Sequence, residues 1–546
     1  MGIVSIPGRA RGRDDASVFS LPLLPPVIRR LLAAALLCAG VATTRPASAQ
    51  PAAAPADTRL VLNADLGRDT ISRHVYGQFA EHLGRDIYDG VWTKAKGTPW
   101  HLRDDVIQAL RKLKVPNVRW PGGCFADYYH WRDGVGPAAR RPKMVNTIWG
   151  NVVEDNSFGT HEYMELVRRL GTEPWIVGNV GTGAPREMAE WWEYVNHPGG
   201  SSITDQRAAN GHPGPYNVRR WGVGNESWGC GGAMRPEYYA DQYKRFAEFL
   251  RPFNDSTHAF RIATGPNVDN YTWTDVLMRD AGRMIDGLDM HYYTLVGSWE
   301  HKGSATQFGE REWFTAMQRA LHIEELVTRH AAVMDKYDPA KRVALIVGEW
   351  GMWHDVEPGT NPGFLYQQNT LRDALVASAT LDVFNRHADR VRGANIAQMV
   401  NVLQAMVLTR GPQMILTPTY HVFEMYTVHH DAVALPLTVQ DAGRYEFNGQ
   451  SVPAVSASAS RDRRGVVHVT MSNLDPTRAR TGVVELRGVN VTGATGRVLT
   501  APAINSYNTF EQPNVVRPVA FDGARVADGR LTVVLPPRSI VVLELR

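Results

Sequence analysis

The chain has 546 residues, 44% of them hydrophobic, which is enough to bury a large core and to form two domains. Its formal net charge of +4 resides in residues 1–49, which carry six arginines and two aspartates, whereas the rest has 53 basic and 53 acidic residues. A neutral chain lacks the positive surface that nucleic acids or anionic membranes attract, so neither is expected as a partner. A neutral polymer such as a polysaccharide is a better match as a binding partner.

The N-terminus has the pattern of a secretory signal peptide. Arg29 and Arg30 precede an apolar run over residues 31–42, and residues 47–49 offer the small side chains of a cleavage site. The apolar run is too short to span a bilayer, and no later segment approaches the required length. We therefore expect residues 1–49 to be a signal peptide and the protein to be exported, to a periplasm or out of the cell. The paired arginines leave both general secretion and twin-arginine export open.

Three cysteines are too few for a disulfide framework. Cys38 lies in the predicted signal peptide, so only Cys124 and Cys230 belong to the predicted mature chain. Both occur in glycine-rich stretches that we place in loops at the active-site end of the fold. From sequence alone, a single disulfide formed after export and a pair of free thiols remain equally open.

An alanine- and proline-rich linker, residues 50–57, precedes a predicted N-terminal strand within residues 58–72. Eight strand-like segments then alternate with longer stretches that are compatible with helices, such as residues 104–114. Strands that alternate with helices form a parallel sheet, and eight such units close into a (β/α)8 TIM barrel, predicted for residues 73–438. The predicted strands start near His74, Val115, Glu173, Arg219, Phe260, Asp286, Lys341 and Gly393.

The pattern changes over residues 439–546. Valine-rich runs at residues 465–472, 483–486 and 531–535 lie between turns of glycine, asparagine and proline, and residues 539–546 end the chain as a strand. This pattern predicts a C-terminal antiparallel β-sandwich. The strand before the barrel would lack a partner by itself, so we expect it to join the sandwich.

Two glutamates follow short apolar runs at predicted strand ends. Glu226 ends a Gly-Asn-Glu motif after the fourth strand, and Glu349 lies in a Gly-Glu-Trp motif at the end of the seventh. Both positions face the carboxyl-terminal mouth of a barrel, where barrel enzymes hold their active sites. Either glutamate alone would be interpreted as an ordinary carboxylate paired with an arginine, but together they predict glycosidic bond cleavage. We assign Glu226 as acid/base, Glu349 as nucleophile, and the Asn225 amide to a sugar hydroxyl.

Polar and aromatic side chains also cluster near the other strand ends, where they would supply the fixed donors and acceptors that a hydroxyl-rich ligand needs. Asn179 and Asn401 are expected instead to hydrogen-bond loop backbone. The chemistry requires no metal or organic cofactor, and none is predicted. Besides Asn225, the residues assigned to substrate binding are Glu81, Cys124, Trp149, His291, Tyr293 and Gln398.

Several motifs resemble those of glycoside hydrolase family 51, over a region that extends from about Leu60 to the C-terminus. Most members of this family are α-L-arabinofuranosidases, which are retaining enzymes built from a barrel and a β-sandwich. The resemblance therefore implies an arabinose-containing glycan as substrate, and a homo-hexamer, since members often form one. The motifs occupy residues 79–85, 119–127, 130–137, 154–159, 221–229 and 416–421.

Matched to these motifs, the functional positions of the family agree with the assignment from strand position. The acid/base falls on Glu226 and the nucleophile on Glu349, which implies double displacement with retained configuration. Some members have an asparagine that contacts the sugar where this chain has Cys124, so a contact there is expected through the backbone. The sugar-binding positions fall on Glu81, Asn225, Tyr293 and Gln398.

Two alternatives are compatible with the same glutamates. A retaining β-xylosidase or an endoglucanase can carry them on the same two strands, although an endo-acting enzyme needs an open cleft instead of a pocket for a chain end. Outside enzymes, the alternative is a catalytically silent carbohydrate-binding protein, against which both intact glutamates argue. The preference among arabinan, arabinoxylan and short oligosaccharides is left open.

Overall fold

A computed structural model describes residues 57–94, 97–254 and 257–546. The predicted signal peptide and residues 50–56 of the predicted linker lie outside the described residues. Within these ranges, eight parallel strands close into a barrel, and two antiparallel sheets follow it in sequence. The predicted fold class is therefore confirmed.

Each barrel strand begins close to its predicted start, with offsets that range from none at Glu173 to three residues at Gly77 and Ala344. Strands that are consecutive in sequence are neighbours around the barrel, and the eighth pairs with the first. Their carboxyl ends therefore meet at one mouth. The barrel strands are Gly77–Phe79, Asn117–Trp120, Glu173–Gly178, Arg220–Val223, Phe260–Asn267, Gly287–Thr294, Ala344–Met352 and Val391–Ile396.

The helices between the strands cover the outside of the barrel. Helix Leu371–Arg386 begins at a capping box, because the Thr370 hydroxyl accepts from the backbone of Arg372 while the Asp373 carboxylate accepts from the backbone of Thr370. Within the described ranges, no helix is both long and apolar enough to cross a membrane. The other helices are Asp104–Lys112, Thr160–Leu170, Pro185–Asn196, Ser202–Ala209, Pro236–Ala247, Tyr271–Ala281, Glu310–Leu321, Ile323–Asp335 and Pro418–Tyr426.

Two antiparallel sheets form the C-terminal sandwich, with a shared apolar core between them. The N-terminal strand Thr58–Asn63 joins the first sheet, antiparallel to Leu437–Asp441 and parallel to Arg480–Arg487, which confirms the predicted docking. The first sheet also contains Arg530–Leu535 and Ala524–Ala527. The second sheet contains Val433–Ala434, Val455–Arg461, Val467–Asn473, Ser539–Leu545, Ala494–Leu499 and Val519–Phe521.

A buried carboxylate connects the barrel to the sandwich. Asp382, on helix Leu371–Arg386, accepts hydrogen bonds from the hydroxyls of Ser456, Ser458 and Thr470 in the second sheet, at 2.8–2.9 Å. The hydroxyl of Tyr426 donates to the same carboxylate at 3.1 Å. Burial raises the pKa of Asp382, while these hydroxyl donors oppose the rise. The carboxylate is therefore a shared acceptor for four buried hydroxyls.

We expect Asp382→Ala to lower the free energy of unfolding by about 3 kcal/mol, because several buried hydroxyls lose their acceptor at a cost of roughly 1 kcal/mol each. Ser456→Ala, which removes one of the four donors, should cost about 1 kcal/mol. Urea denaturation measures both values. Equal losses in the two variants would show that the carboxylate does not organise the group.

Candidate active site

A cavity of about 430 Å³ opens at the carboxyl-terminal mouth of the barrel. Its wall comes from segments at the ends of every barrel strand except the third. Asn225 is the one predicted site residue that is not part of this wall. The predicted residues that line the cavity are Glu81, Cys124, Trp149, Glu226, His291, Tyr293, Glu349 and Gln398.

Glu349 is buried within the seventh strand and held by two donors. Arg119 donates to its Oε1 at 2.8 Å, and the hydroxyl of Tyr293 donates to its Oε2 at 2.8 Å. A Cβ added to Gly123 would lie 2.8 Å from Oε1, so this close approach requires glycine. A cation and a phenolic hydroxyl that both point at one carboxylate stabilise negative charge on it.

Glu226 lies just beyond the fourth strand in a left-handed backbone conformation, with φ of 40°. Its carbonyl accepts from the backbone N–H groups of Gly229 and Gly231, at 2.7 and 3.1 Å, which closes a tight turn. A ring nitrogen of His291 lies 2.9 Å from Oε1 of Glu226. Burial raises the pKa of the Glu226 carboxyl, and the charge of Glu349 raises it further, although the His291 hydrogen bond opposes both.

The two glutamates approach each other closely. One carboxylate oxygen of Glu226, one of Glu349 and a ring nitrogen of His291 all lie within 4.8 Å of one another. Retaining glycosidases hold their carboxyl groups about 5–5.5 Å apart, whereas inverting ones need roughly 6.5–9.5 Å to admit a water molecule. The spacing of these oxygens fits the shorter, retaining separation.

His291 lies between the carboxylates. Its Nδ1 is 2.9 Å from Glu226 and 3.7 Å from Glu349, and its Nε2 is 3.4 Å from Asp289. Burial by itself lowers the pKa of His291, but the charges of Glu349 and Asp289 outweigh it and raise the pKa to about 10. The ring is therefore an imidazolium near neutral pH and donates at both nitrogens.

Three predicted binding residues form one network around Glu81. The indole N–H of Trp149 donates to Oε1 at 2.8 Å, and the side-chain amide of Gln398 donates to Oε2 at 2.8 Å. Burial raises the pKa of Glu81 to about 7, and the charge of Glu349 contributes to the rise. These hydrogen bonds fix a carboxyl group on the cavity wall that can present either charge state near neutrality.

Asn225 is buried behind the wall. Its Oδ1 accepts from Arg119, and its backbone N–H donates to Asp127 at 2.7 Å. Asp127 also accepts from the backbone N–H groups of Val180 and Gly181, at 2.6 and 2.9 Å, and burial raises its pKa to about 6. Asn225 thus connects the fourth strand end to the second and third, and its Nδ2 lies 3.9 Å from Sγ of Cys230, beside Glu226.

Sequence reasoning missed Arg119, Asp127 and Asp289 as members of the site. Arg119 and Asp127 are the first and last residues of the motif at 119–127, and Asp289 precedes His291 by two residues. The sequence therefore placed all three near predicted site residues, but no pattern marked them as members of the site. Asp289 accepts from the backbone N–H of Gly348 at 2.6 Å, beside Glu349. All three hold site residues from behind.

Cys124 and Cys230 form a disulfide, which settles the alternative left open by the sequence. Asn179 and Asn401 hydrogen-bond loop backbone, through Tyr129 and Thr182 for the first and Arg85 and Thr409 for the second, so that prediction is confirmed.

Among the described residues, two trios place potential metal-binding atoms within 4.8 Å of one another. Cys124, Glu226 and Cys230 form one, but their sulfurs are joined to each other and are not thiolates. Glu226, His291 and Glu349 form the other, but a protonated imidazole nitrogen has no lone pair for a metal. Neither donor set fits a resident metal ion in this state.

Aromatic side chains lead outward from Glu349. The ring of Tyr293 lies 4.9 Å from that of Trp353, which lies 5.4 Å from that of Trp299, both with edge-to-face geometry. Trp299 is 53% exposed at the cavity rim. Flat apolar faces of this kind suit the C–H surfaces of sugars beyond the first one.

Two family models match the chain. The Alpha-L-arabinofuranosidase 1 domain covers residues 109–311, and the Alpha-L-arabinofuranosidase C-terminal domain covers residues 348–539. Together they include Glu226 and Glu349.

Known proteins resemble the chain over most of its length. An intracellular exo-α-L-arabinofuranosidase of Bacteroides ovatus is 48% identical over 89% of this chain and 95% of its own. The solved GH51 arabinofuranosidase of Xanthomonas axonopodis pv. citri is 52% identical, with a TM-score of 0.88 over 90% of this chain and 99% of its own. An arabinose complex of Thermotoga maritima α-L-arabinofuranosidase is 31% identical, with a TM-score of 0.75 over 89% and 99%. The chain belongs to glycoside hydrolase family 51 and is an α-L-arabinofuranosidase of that family.

Proposed function

We propose that the enzyme releases terminal α-L-arabinofuranosyl residues from arabinose-containing glycans, with Glu349 as nucleophile and Glu226 as acid/base. The observation that carries this assignment is the placement of the two carboxylates. An oxygen of each lies within 4.8 Å of the other, one beside a guanidinium and the other in a setting that favours its protonated form. This asymmetry is what double displacement requires.

In the first step, Glu349 attacks the anomeric carbon while Glu226 gives its proton to the departing oxygen. Arg119 and Tyr293 hold the attacking carboxylate in place, so little reorganisation is needed as its charge is consumed. In the second step, Glu226 takes a proton from water, the water displaces Glu349, and arabinose leaves with its original configuration. His291, as an imidazolium between the two carboxylates, compensates charge as it moves from one to the other.

A terminal sugar needs a pocket, whereas a continuous polymer needs an open cleft. The cavity of about 430 Å³ lies within the usual range for small-molecule pockets, and Glu81, Trp149 and Gln398 fix polar atoms at its wall. Trp299 at the rim provides a face for the remainder of the glycan. The β-xylosidase and endoglucanase alternatives would need a different inner wall or an open cleft. A hexameric assembly, implied by the family resemblance, stays a prediction.

We expect Glu349→Gln to lower kcat on 4-nitrophenyl α-L-arabinofuranoside by several orders of magnitude, because no nucleophile remains. Glu226→Ala should lower kcat/KM on the same substrate about 10²–10⁴-fold, the usual contribution of a general acid. Glu446→Gln, at an exposed glutamate of the sandwich, serves as the charge-matched control and should retain full activity. Release of nitrophenol measures all three.

Azide distinguishes the two roles. With Glu226→Ala, azide should attack the glycosyl-enzyme and give an arabinofuranosyl azide of retained α configuration. With Glu349→Ala, azide should enter the vacated space and give the inverted β product. The opposite stereochemistry, or near-normal turnover of Glu349→Gln, would remove these assignments.

Activity should fall as pH rises through the pKa of Glu226, because only the protonated carboxyl can donate. Burial and then the charge of Glu349 raise that pKa, so the alkaline limb should lie above the range of an ordinary glutamate. A 2,4-dinitrophenyl leaving group departs without a proton. Its kcat/KM should therefore persist to higher pH than that of the 4-nitrophenyl substrate.

Glu81 provides the internal control for this comparison. Its pKa is raised to about 7, and its titration affects binding of the same sugar in both substrates. Any change in kcat/KM caused by titration of Glu81 is therefore common to the pH profiles of both substrates. Only the difference between the two profiles reports on Glu226. Superimposable profiles would contradict the acid role of Glu226.

We also propose that the protein is exported, with residues 1–49 as signal peptide and residues 50–57 as linker to the catalytic barrel (73–438) and the sandwich (58–72 with 439–546). The relative from Bacteroides ovatus is named as intracellular, so export is a property proposed for this chain. Two observations support it: the signal pattern before Gln50, and the Cys124–Cys230 disulfide, since disulfides persist mainly in oxidising compartments.

Intact-mass analysis of protein from the native host should find a chain that begins near Gln50 in the periplasm or medium. Replacement of Arg29 and Arg30 by lysine should slow export if the twin-arginine route is used and leave it unchanged if general secretion is used. An unprocessed chain confined to the cytoplasm would contradict export.

A further inference from the structure

The Cys124–Cys230 disulfide joins the two loops that enclose Glu226. Cys230 lies four residues after Glu226, in the loop that follows the fourth strand. Cys124 lies in the loop that follows the second strand, next to Gly123, which faces the Glu349 carboxylate. The bridge therefore ties the segment that carries the acid/base to the segment packed against the nucleophile.

Both sulfurs contact the Glu226 carboxyl. Sγ of Cys230 lies 3.5 Å from Oε2, and Sγ of Cys124 lies 3.9 Å from the same oxygen. A disulfide sulfur carries no hydrogen, so the pair forms a weakly polar wall and donates nothing to Oε2. The other oxygen, Oε1, already faces the imidazolium of His291. The proton of the acid is therefore left on Oε2, the oxygen against the disulfide.

The backbone at Glu226 needs an external restraint. A φ of 40° lies in the left-handed region, which side chains other than glycine adopt only where the surroundings enforce it. Hydrogen bonds from Gly229 and Gly231 close the turn from within. The disulfide is the covalent link that fixes this turn relative to the rest of the mouth. Glu349, in contrast, lies within a strand and is held by Arg119 and Tyr293 without help from the bridge.

We propose that the Cys124–Cys230 disulfide is a positioning element for the acid/base, which holds the Glu226 carboxyl where it can donate its proton. This inference rests on the proposed role of Glu226. Reduction by a small dithiol transfers two electrons and two protons to the bridge. The protein is left with two thiols, and the reagent becomes a cyclic disulfide. The loop that carries Glu226 is then free to move, while the nucleophile stays in place.

The test compares kcat/KM for aryl α-L-arabinofuranosides whose leaving groups range from 2,4-dinitrophenol to unsubstituted phenol. Cys230→Ala is the variant of choice, because Cys230 is exposed and does not line the cavity. We expect the dinitrophenyl substrate to retain activity within about twofold, and the phenyl substrate to lose about tenfold or more, a part of the full general-acid contribution. A loss that grows with leaving-group pKa is the signature of impaired proton donation.

Reduced wild-type enzyme provides a second route to the same state if Cys230→Ala fails to fold. Reductant should reproduce the leaving-group dependence, and reoxidation should reverse it. Cys230→Ala should not respond to reductant, which controls for any effect through Cys38. A chelator is present throughout, because free thiols beside Glu226 could capture a trace divalent ion.

The outcomes separate the inference from the function on which it rests. A uniform loss across all leaving groups, or no loss, would overturn the positioning role and leave the disulfide with a structural role only. Glu226→Ala is measured in parallel. If that variant shows no leaving-group dependence, the acid/base assignment itself fails, whatever the disulfide variant does.

Discussion

The buried guanidinium of Arg119 is the charge on which the arrangement of the active site depends. It donates to Glu349 and to the side-chain oxygen of Asn225, and it lies 3.8 Å from Asp289. Taking such a cation out of water costs several kcal/mol unless protein groups replace its hydration. These contacts therefore replace the lost hydration of Arg119, and they hold both Glu349 and the strand end before Glu226.

Charge balance around Arg119 explains why the carboxyls of Glu226 and Glu349, the proposed acid/base and nucleophile, differ. Among the described residues, the mouth of the barrel buries five acidic groups around two cations, Arg119 and His291; the acids are Glu81, Asp127, Glu226, Asp289 and Glu349. If two acids are ionised, the cations neutralise them, and each further negative charge is uncompensated in a medium of low dielectric. The raised pKa values of Glu226 and Glu81 follow from this excess. The same excess of negative charge disfavours ionisation of Glu226, as its proposed acid role requires.

The barrel and the pair of glutamates could be predicted from the sequence because both have local signals. Each strand is a short apolar run bounded by glycine or polar residues, and the strand order places Glu226 and Glu349 at one mouth. The supporting residues have no such signal. Arg119 contacts Glu349 across 230 positions of sequence, and a loop aspartate such as Asp127 has the same local pattern whether it supports a catalytic loop or a turn. Only the folded chain distinguishes these cases.

The orientation of the Asn225 side chain and the pairing of the two cysteines also become visible only in the folded chain. A motif that contains Asn225 indicates a polar group near the chemistry, but only the folded chain shows that its amide oxygen accepts from Arg119 while its nitrogen lies 3.9 Å from Sγ of Cys230. Cys124 and Cys230 are 106 positions apart, and they can pair only because strands two and four bring their loops together at the mouth. Glu349 is held by noncovalent contacts that form in any compartment, whereas the loop of Glu226 closes through a bond that requires oxidation. In the proposed mechanism the two halves therefore differ in what assembles them: folding completes one, and the redox environment of the folded chain completes the other.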